Sequence, residues 1–80
     1  MTPNEAFGEV LRRHRKKKNK FQAEVAFLAG LDRTYISLLE LGKRSPTLDT
    51  IIALCDALDT KPSDLILAME KLVKTIDGKS

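Results

Sequence analysis

The chain has 80 residues, 42% of them hydrophobic, which is enough for one small domain whose core needs no disulfide or structural metal. Its single cysteine, Cys55, excludes a disulfide framework, and no apolar run is long enough for a signal or membrane segment, so we expect a cytoplasmic protein with no membrane partner. Residues 1–44 carry ten basic against five acidic residues and residues 45–80 carry four against six, so the basic first half favours a polyanionic partner.

The first two predicted helices lie in this basic half. Phe7, Val10, Leu11 and His14 recur at the spacing of one buried helical stripe, with Asn4 as the expected N-cap. The second helix is expected at residues 22–29 and ends before Gly30, which suits a left-handed turn. Phe21 precedes this helix and cannot cap it through its side chain, which allows a displaced first turn.

Three further helices complete the predicted fold. The third begins after the N-cap Asp32 and runs to about residue 41, where Gly42 can end it in the left-handed conformation. Thr47 is expected to cap a fourth helix, and Ser63 a fifth that runs to about residue 76. The predicted apolar face of the fourth helix comprises Leu48, Ile51, Ile52, Leu54, Cys55 and Leu58. No segment alternates with period two, so the sequence predicts one compact all-α domain of five helices spanning residues 1–80.

The second and third helices have the spacing of a helix-turn-helix. Ala26 is small enough for a close helix crossing, Gly30 can turn sharply, and Ile36 and Leu39 are apolar anchors directed back at the second helix. The residues of this motif are Gln22, Ala26, Gly30, Ile36, Leu39, Glu40, Gly42, Arg44 and Pro46. Over about residues 7–68 the chain resembles the lambda-repressor-like, Cro-type helix-turn-helix family, also called the XRE family. The stretches GLDRTYIS and GKRSPTLDTI resemble the controller proteins of restriction-modification systems and small phage-type regulators.

This resemblance implies a sequence-specific transcriptional regulator that places its third helix in the major groove of double-stranded DNA. The residues implied to contact bases are Arg33, Thr34, Tyr35, Ser37 and Leu38. Arg33 can form a bidentate pair with guanine. Leu38 and Leu41 are apolar at positions that normally face outward, and they can contact thymine methyl groups, pack on a neighbouring side chain or mark a protein surface.

Phosphate contacts are expected on either side of the third helix. The candidates are Gln22, Lys43, Arg44, Ser45 and Lys18, the last from the basic run at the end of the first helix. The family also carries an ion pair between its first and third helices, and Arg15 with Glu40 matches it. Such a pair positions the recognition helix even where its net stabilisation is small.

The fifth helix has more apolar surface than a terminal helix on a small core requires. The expected homodimer interface comprises Leu65, Met69, Leu72, Val73 and Ile76. A two-fold dimer predicts a pseudo-palindromic operator. A wholly intramolecular helix is the alternative.

Catalysis finds little support, because one histidine, one cysteine and no clustered carboxylates provide no triad, no metal site and no phosphate loop. We therefore expect no enzyme and no cofactor. Two other binding functions stay open, an antitoxin-like protein-interaction module that uses the helix-turn-helix fold, and a nonspecific nucleic-acid binder. Activation of transcription would require contact with RNA polymerase, which the sequence assigns to no surface.

Overall fold

Five α-helices form the fold in the computed structural model, which describes the backbone of residues 1–77 and the side chains of residues 1–74. The helices are α1 (Pro3–Lys17), α2 (Gln22–Ala29), α3 (Arg33–Glu40), α4 (Leu48–Leu58) and α5 (Pro62–Asp77). Residues 1–77 contain no strand, and the predicted all-α class is confirmed. None of the helices described here has the length and apolar character needed to span a membrane.

The start of α1 differs from the prediction, because Thr2 and not Asn4 is the N-cap. The Thr2 hydroxyl accepts the backbone N–H of Glu5 at 3.1 Å, and the Glu5 carboxylate accepts the backbone N–H of Thr2 at 2.9 Å. Pro3 fits the first helical position, since it has a fixed φ and no N–H to satisfy there. With this reciprocal capping box the N-cap lies two residues before the predicted one.

Two other helix starts show how a helix begins without a side-chain cap at the N-cap position. Pro62 is the first residue of α5, so Ser63 lies inside the helix and the predicted Ser63 cap is wrong. The carbonyl of Lys61 accepts the first helical bond, from Leu65 at 3.2 Å. At α2 the Glu24 carboxylate accepts the backbone N–H of Phe21 at 2.8 Å, and the helix begins at the predicted residue without displacement.

Each of the first four helices is followed, within two residues, by a residue with positive φ. These residues are Asn19 (57°), Gly30 (70°), Gly42 (74°) and Asp59 (51°). After each of them the next backbone N–H returns to the carbonyl five residues earlier, at distances of 2.8 to 3.1 Å, which is the Schellman arrangement. The chain therefore changes direction within a few residues after each of these four helices, and the main helix pairs in contact are α1 with α3 and α5, α2 with α3 and α4, and α4 with α5.

Residues of all five helices form the core. Its fully or almost fully buried members include Phe7, Val10, Leu11, Val25, Ile36, Leu39, Leu54, Cys55, Leu58 and Leu65. Burial raises the pKa of the Cys55 thiol, and the neighbouring Asp56 carboxylate adds to the increase. Cys55 is thus a core residue, as its place on the predicted apolar face of the fourth helix indicated.

The apolar face of α4 is narrower than predicted. Leu48 and Ile52 are 80% and 50% exposed, whereas Thr50 is buried. The Thr50 N–H is accepted by the Thr47 hydroxyl at 3.1 Å, so Thr47 is the cap that the sequence predicted. Because α4 packs mainly against α2 and α5, the part of its apolar surface that lies outside these contacts is left to solvent.

Candidate nucleic-acid interface

The turn between α2 and α3 fixes the direction of α3. Gly30 adopts the left-handed conformation at the end of α2, and the N–H of Leu31 bonds to the carbonyl of Ala26 at 2.8 Å. The Asp32 side chain then accepts the N–H of Thr34 at 3.3 Å and caps α3. Ala26 is only 4% exposed, as expected for the small residue at a close crossing of two helices.

The two faces of α3 are sharply different. Ile36 and Leu39 are completely buried in the core. Arg33 and Thr34 in the first turn are exposed, while Tyr35, Ser37 and Leu38 are partly buried, and Tyr35 packs against the core. Leu41, just after the helix, is 61% exposed. Of the five predicted base-contact residues, Arg33 and Thr34 are thus exposed to solvent, and the other three are exposed only in part.

A buried ion pair joins α1 to the end of α3. Arg15 Nε lies 2.6 Å from Glu40 Oε2, Arg15 Nη2 lies 3.0 Å from Glu40 Oε1, and the two side chains are only 10% and 5% exposed. The hydrogen bond to Glu40 raises the pKa of Arg15 above its ordinary value. Arg15 Nη1 also donates to the carbonyl of Lys20 at 2.8 Å. The predicted pair is therefore formed, and it also holds the connection between α1 and α2.

The ion pair continues to the surface through Gln22, a link that sequence reasoning did not foresee. Gln22 Nε2 donates to Glu40 Oε1 at 3.0 Å, and Gln22 Oε1 accepts from Arg33 Nη1 at 3.1 Å. Gln22 and Arg33 begin α2 and α3 respectively. Both were predicted at the DNA surface, but only the crossing of the two helices brings their side chains together.

Gly8 is a second residue whose role the sequence analysis missed. A Cβ at this position would lie 2.3 Å from the carbonyl oxygen of Leu39 and 2.7 Å from that of Glu40. These distances mean that α1 touches the backbone of the last turn of α3 directly. The available signal was a glycine in the middle of a predicted helix, where it is unfavourable without a packing reason.

The predicted phosphate-contact residues divide into two groups. Lys43, Arg44 and Ser45 are exposed directly after α3, and the Ser45 hydroxyl donates to the Asn4 side chain at 3.0 Å, which ties this loop to α1. Lys18 instead donates to the carbonyl of Asp59, in the connection between α4 and α5, at 3.4 Å. The structure therefore places Lys43, Arg44 and Ser45 next to α3, whereas Lys18 contacts the connection between α4 and α5.

Among the residues described, no group of three or more His, Cys, Asp or Glu side chains is arranged to hold a metal ion. His14 is partly buried, and its Nδ1 lies 2.9 Å from the carbonyl oxygen of Val10 on the same helix. It is placed as the packing residue that the stripe on α1 predicted.

Comparison with known proteins identifies the arrangement. Residues 11–65 match the family described as Helix-turn-helix. The chain belongs to the helix-turn-helix family. The match covers the C-terminal part of α1, all of α2, α3 and α4 and the start of α5, and so includes the ion pair, the turn and the exposed first turn of α3.

Three relatives show which branch of the helix-turn-helix family is similar to the chain. Control protein C.BamHI of Bacillus amyloliquefaciens is 43% identical over 61 residues, which are 75% of each protein. Control protein C.SmaI of Serratia marcescens is 38% identical over 66 residues, covering 82% of this chain and 79% of the relative. The crystal structure of the restriction-modification controller protein C.AhdI from Aeromonas hydrophila has 40% identity and a TM-score of 0.79, covering 81% of this chain and 98% of that one.

Family membership confirms three of the sequence predictions. The five-helix architecture is that of the lambda-repressor-like helix-turn-helix proteins. The chain is a DNA-binding transcriptional regulator and not an enzyme. In a helix-turn-helix, the second helix of the motif is called the recognition helix, and in this chain that position is occupied by α3.

Proposed function

We propose that this helix-turn-helix protein acts in the cytoplasm as a homodimer that binds a pseudo-palindromic operator and controls a restriction-modification system. The observation that carries the proposal is the exposed first turn of α3, Arg33 and Thr34, on a helix whose opposite face is completely buried. A recognition helix needs this combination, because base discrimination requires side chains held in a defined position relative to the groove. The similarity to restriction-modification controller proteins supports the proposal that the regulated genes belong to a restriction-modification system.

Arg33 is the main base-reading residue in this proposal. Its guanidinium presents parallel donors that match O6 and N7 of guanine, and one such pair contributes about 1–3 kcal/mol of discrimination. Thr34 offers a hydroxyl and a methyl group at the same exposed edge. Tyr35, Ser37 and Leu38 are partly buried, so they contribute the atoms left at the surface, and for Leu38 the expected partner is a thymine methyl group.

Backbone contacts come from the flanks of α3. Lys43, Arg44 and Ser45 leave the helix on its C-terminal side, and Gln22 lies at the N-terminus of α2, where backbone N–H groups and the helix dipole favour a phosphate. Lys18 donates to the carbonyl of Asp59 in the α4–α5 connection. We therefore propose phosphate contacts only for Gln22, Lys43, Arg44 and Ser45.

The dimer surface that we propose differs from the one predicted from the sequence. Leu65 is completely buried in the core, so it cannot contact a second subunit, and Met69 and Leu72 pack against the core while remaining partly exposed. Ile76 lies outside the residues whose side chains are described. Ile66, Met69 and Val73 follow each other at i, i+3 and i+7, which is one stripe beside the buried face of α5. Ile66 is 38% exposed, and this stripe is the proposed interface.

A charge placed in the stripe tests the dimer. Ile66→Glu is expected to yield a monomer in sedimentation equilibrium at concentrations where the wild type is dimeric. Leu67→Glu is the matched control, because Leu67 is 49% exposed on the same helix but lies about 100° further around it, outside the stripe. A monomeric wild type at every concentration, or equal effects of the two substitutions, would contradict the proposed interface.

Selection of bound sequences from random double-stranded DNA tests the function as a whole. We expect a palindrome whose half-sites are centred about one helical turn apart, roughly 34–36 Å. Arg33→Ala should relax the selected sequence at one guanine in each half-site. If no sequence is enriched, the specific regulator is ruled out, and the protein-interaction or nonspecific-binding alternatives take its place.

A further inference from the structure

We propose that Glu40 sets the direction of the hydrogen bonds that hold the base-reading Arg33, acting through the side-chain amide of Gln22. Gln22 and Glu40 are then positioning residues for DNA recognition, in addition to any phosphate contact made by Gln22. The inference rests on the proposed role of Arg33 in reading guanine. On this inference the position of the Arg33 side chain at the surface depends on the buried carboxylate of Glu40.

The contacts form one continuous chain from the core to the surface. Arg15 binds both carboxylate oxygens of Glu40, at 2.6 and 3.0 Å. Glu40 Oε1 also accepts from Gln22 Nε2 at 3.0 Å, and Gln22 Oε1 accepts from Arg33 Nη1 at 3.1 Å. No buried side-chain nitrogen or oxygen among the described residues lacks a hydrogen-bond partner. The buried polar atoms of this hydrogen-bond series are therefore all paired.

Only one orientation of the Gln22 amide is compatible with both ends of this chain. Arg33 carries donors and no acceptor, whereas an ionised carboxylate such as Glu40 carries acceptors and no donor. If the amide were rotated by half a turn, its oxygen would face the carboxylate and its NH₂ group would face the guanidinium. Both contacts would be repulsive, so the buried charge of Glu40 directs the amide oxygen towards Arg33.

This direction matters because Arg33 occupies an unfavourable place for a cation. It is the first residue of α3, where the unpaired N–H groups and the helix dipole disfavour positive charge. The Gln22 oxygen offsets this effect and restricts the guanidinium to one region of the surface. A side chain restricted before binding loses less entropy when it pairs with a base. Gln22 and Glu40 therefore increase the discrimination that Arg33 provides without touching the base.

Three variants separate this role from simple structural support. Glu40→Gln replaces one of the two oxygens that accept from Arg15 by an NH₂ group and removes the buried negative charge, so the Gln22 amide loses the group that fixes its orientation. Gln22→Met removes the amide without altering the buried ion pair. The double variant Glu40→Gln with Gln22→Glu places a carboxylate acceptor beside Arg33, independent of amide orientation, and restores the wild-type net charge.

The first measurement is the ratio of affinities for the selected operator and for the same operator with the guanine replaced. We expect Arg33→Ala to abolish this ratio, and Glu40→Gln and Gln22→Met each to lower it about fivefold, the effect of one net hydrogen bond. The double variant should recover the ratio to within about twofold of the wild type, even if the carboxylate at position 22 weakens binding to all DNA. Thermal unfolding of each variant shows that the comparison is made between folded proteins.

The second measurement needs no DNA. Relaxation of the Arg33 side-chain Nε in the free protein should report greater motion in Gln22→Met and Glu40→Gln than in the wild type, and restored order in the double variant. If both single variants leave the Arg33 motion and the affinity ratio unchanged while Arg33→Ala abolishes the ratio, the inference is overturned and the proposed function stands. An unchanged ratio in Arg33→Ala would instead refute the base-reading role itself.

Discussion

Replacing Gly8 by alanine tests the packing that holds the recognition helix. The added Cβ would lie 2.3 Å from the Leu39 carbonyl oxygen and 2.7 Å from the Glu40 carbonyl oxygen, whereas an ordinary contact is 3.4–4 Å. Both neighbours are backbone atoms, so no side chain can rotate away to relieve the clash. The last turn of α3 must therefore move from α1 by about 1 Å, and it carries the partner of Arg15 with it.

Two opposing terms determine the size of the effect. Glycine in a helix interior is less favourable than alanine by about 1 kcal/mol, so helix propensity alone predicts that Gly8→Ala stabilises the protein. Overpacking of a close contact costs about 1–3 kcal/mol, and we expect the upper end because the contact is between backbones. The net expectation is a loss of about 2 kcal/mol. For a domain of this size such a loss lowers the melting temperature by roughly 8–16 °C.

Thermal unfolding followed by far-UV circular dichroism, at one fixed protein concentration, measures this loss. Gly30→Ala is the matched control, since a Cβ there meets no atom within 4 Å and the cost comes only from the left-handed backbone, about 1 kcal/mol. Gly8→Ala should also weaken operator binding in a fluorescence titration, because it displaces α3. A higher melting temperature for Gly8→Ala than for the wild type would refute the reasoning, since propensity would then outweigh the contact.

Three further predictions concern the ion pair, the first cap and the phosphate contacts. Arg15→Met or Glu40→Met alone should destabilise the protein by about 3–5 kcal/mol, and the double variant by clearly less than the sum, in a urea-denaturation cycle. Thr2→Ala should cost about 1 kcal/mol in the same assay, whereas Asn4→Ala should cost less than about 0.5 kcal/mol; the reverse order would restore Asn4 as the cap. Arg44→Ala should weaken binding to all DNA sequences alike and reduce the slope of log affinity against log salt by about 1; a sequence-dependent loss would argue for a base contact instead.

The exposed and buried sides of α3 were largely predictable, and the hydrogen-bond network behind them was not. The spacing of Gly30, Ile36 and Leu39 is sufficient to identify the turn and to decide which side of α3 is buried, because helix periodicity assigns the remaining positions to the outside. The contact of Gln22 with Arg33 depends on the angle and separation of two helices. A pattern within either helix alone carries no information on those quantities.

The helix starts show a related limit. Asn4 and Ser63 are both good capping residues, and each has a helix beginning close by. In both places the helix instead begins at a proline, one residue before the predicted cap. The fixed φ of proline suits the first position of a helix. Capping propensity ranks residue types as N-caps. Which of several neighbouring residues becomes the N-cap depends on the backbone geometry of the chain that enters the helix.

What the sequence determined by itself is the class of the protein: five helices, a helix-turn-helix, the exposed first turn of α3 and the Arg15–Glu40 pair. The first three follow from local rules, periodicity and turn residues, whereas the pair is implied by the resemblance to the helix-turn-helix family, and none of them requires knowledge of the distances between helices. The tertiary structure decided which surface of α5 stays accessible, why Gly8 is a glycine and how Glu40 reaches Arg33 through Gln22. Each of these depends on how closely two helices approach, and that separation results from the packing of the whole core and not from any one segment.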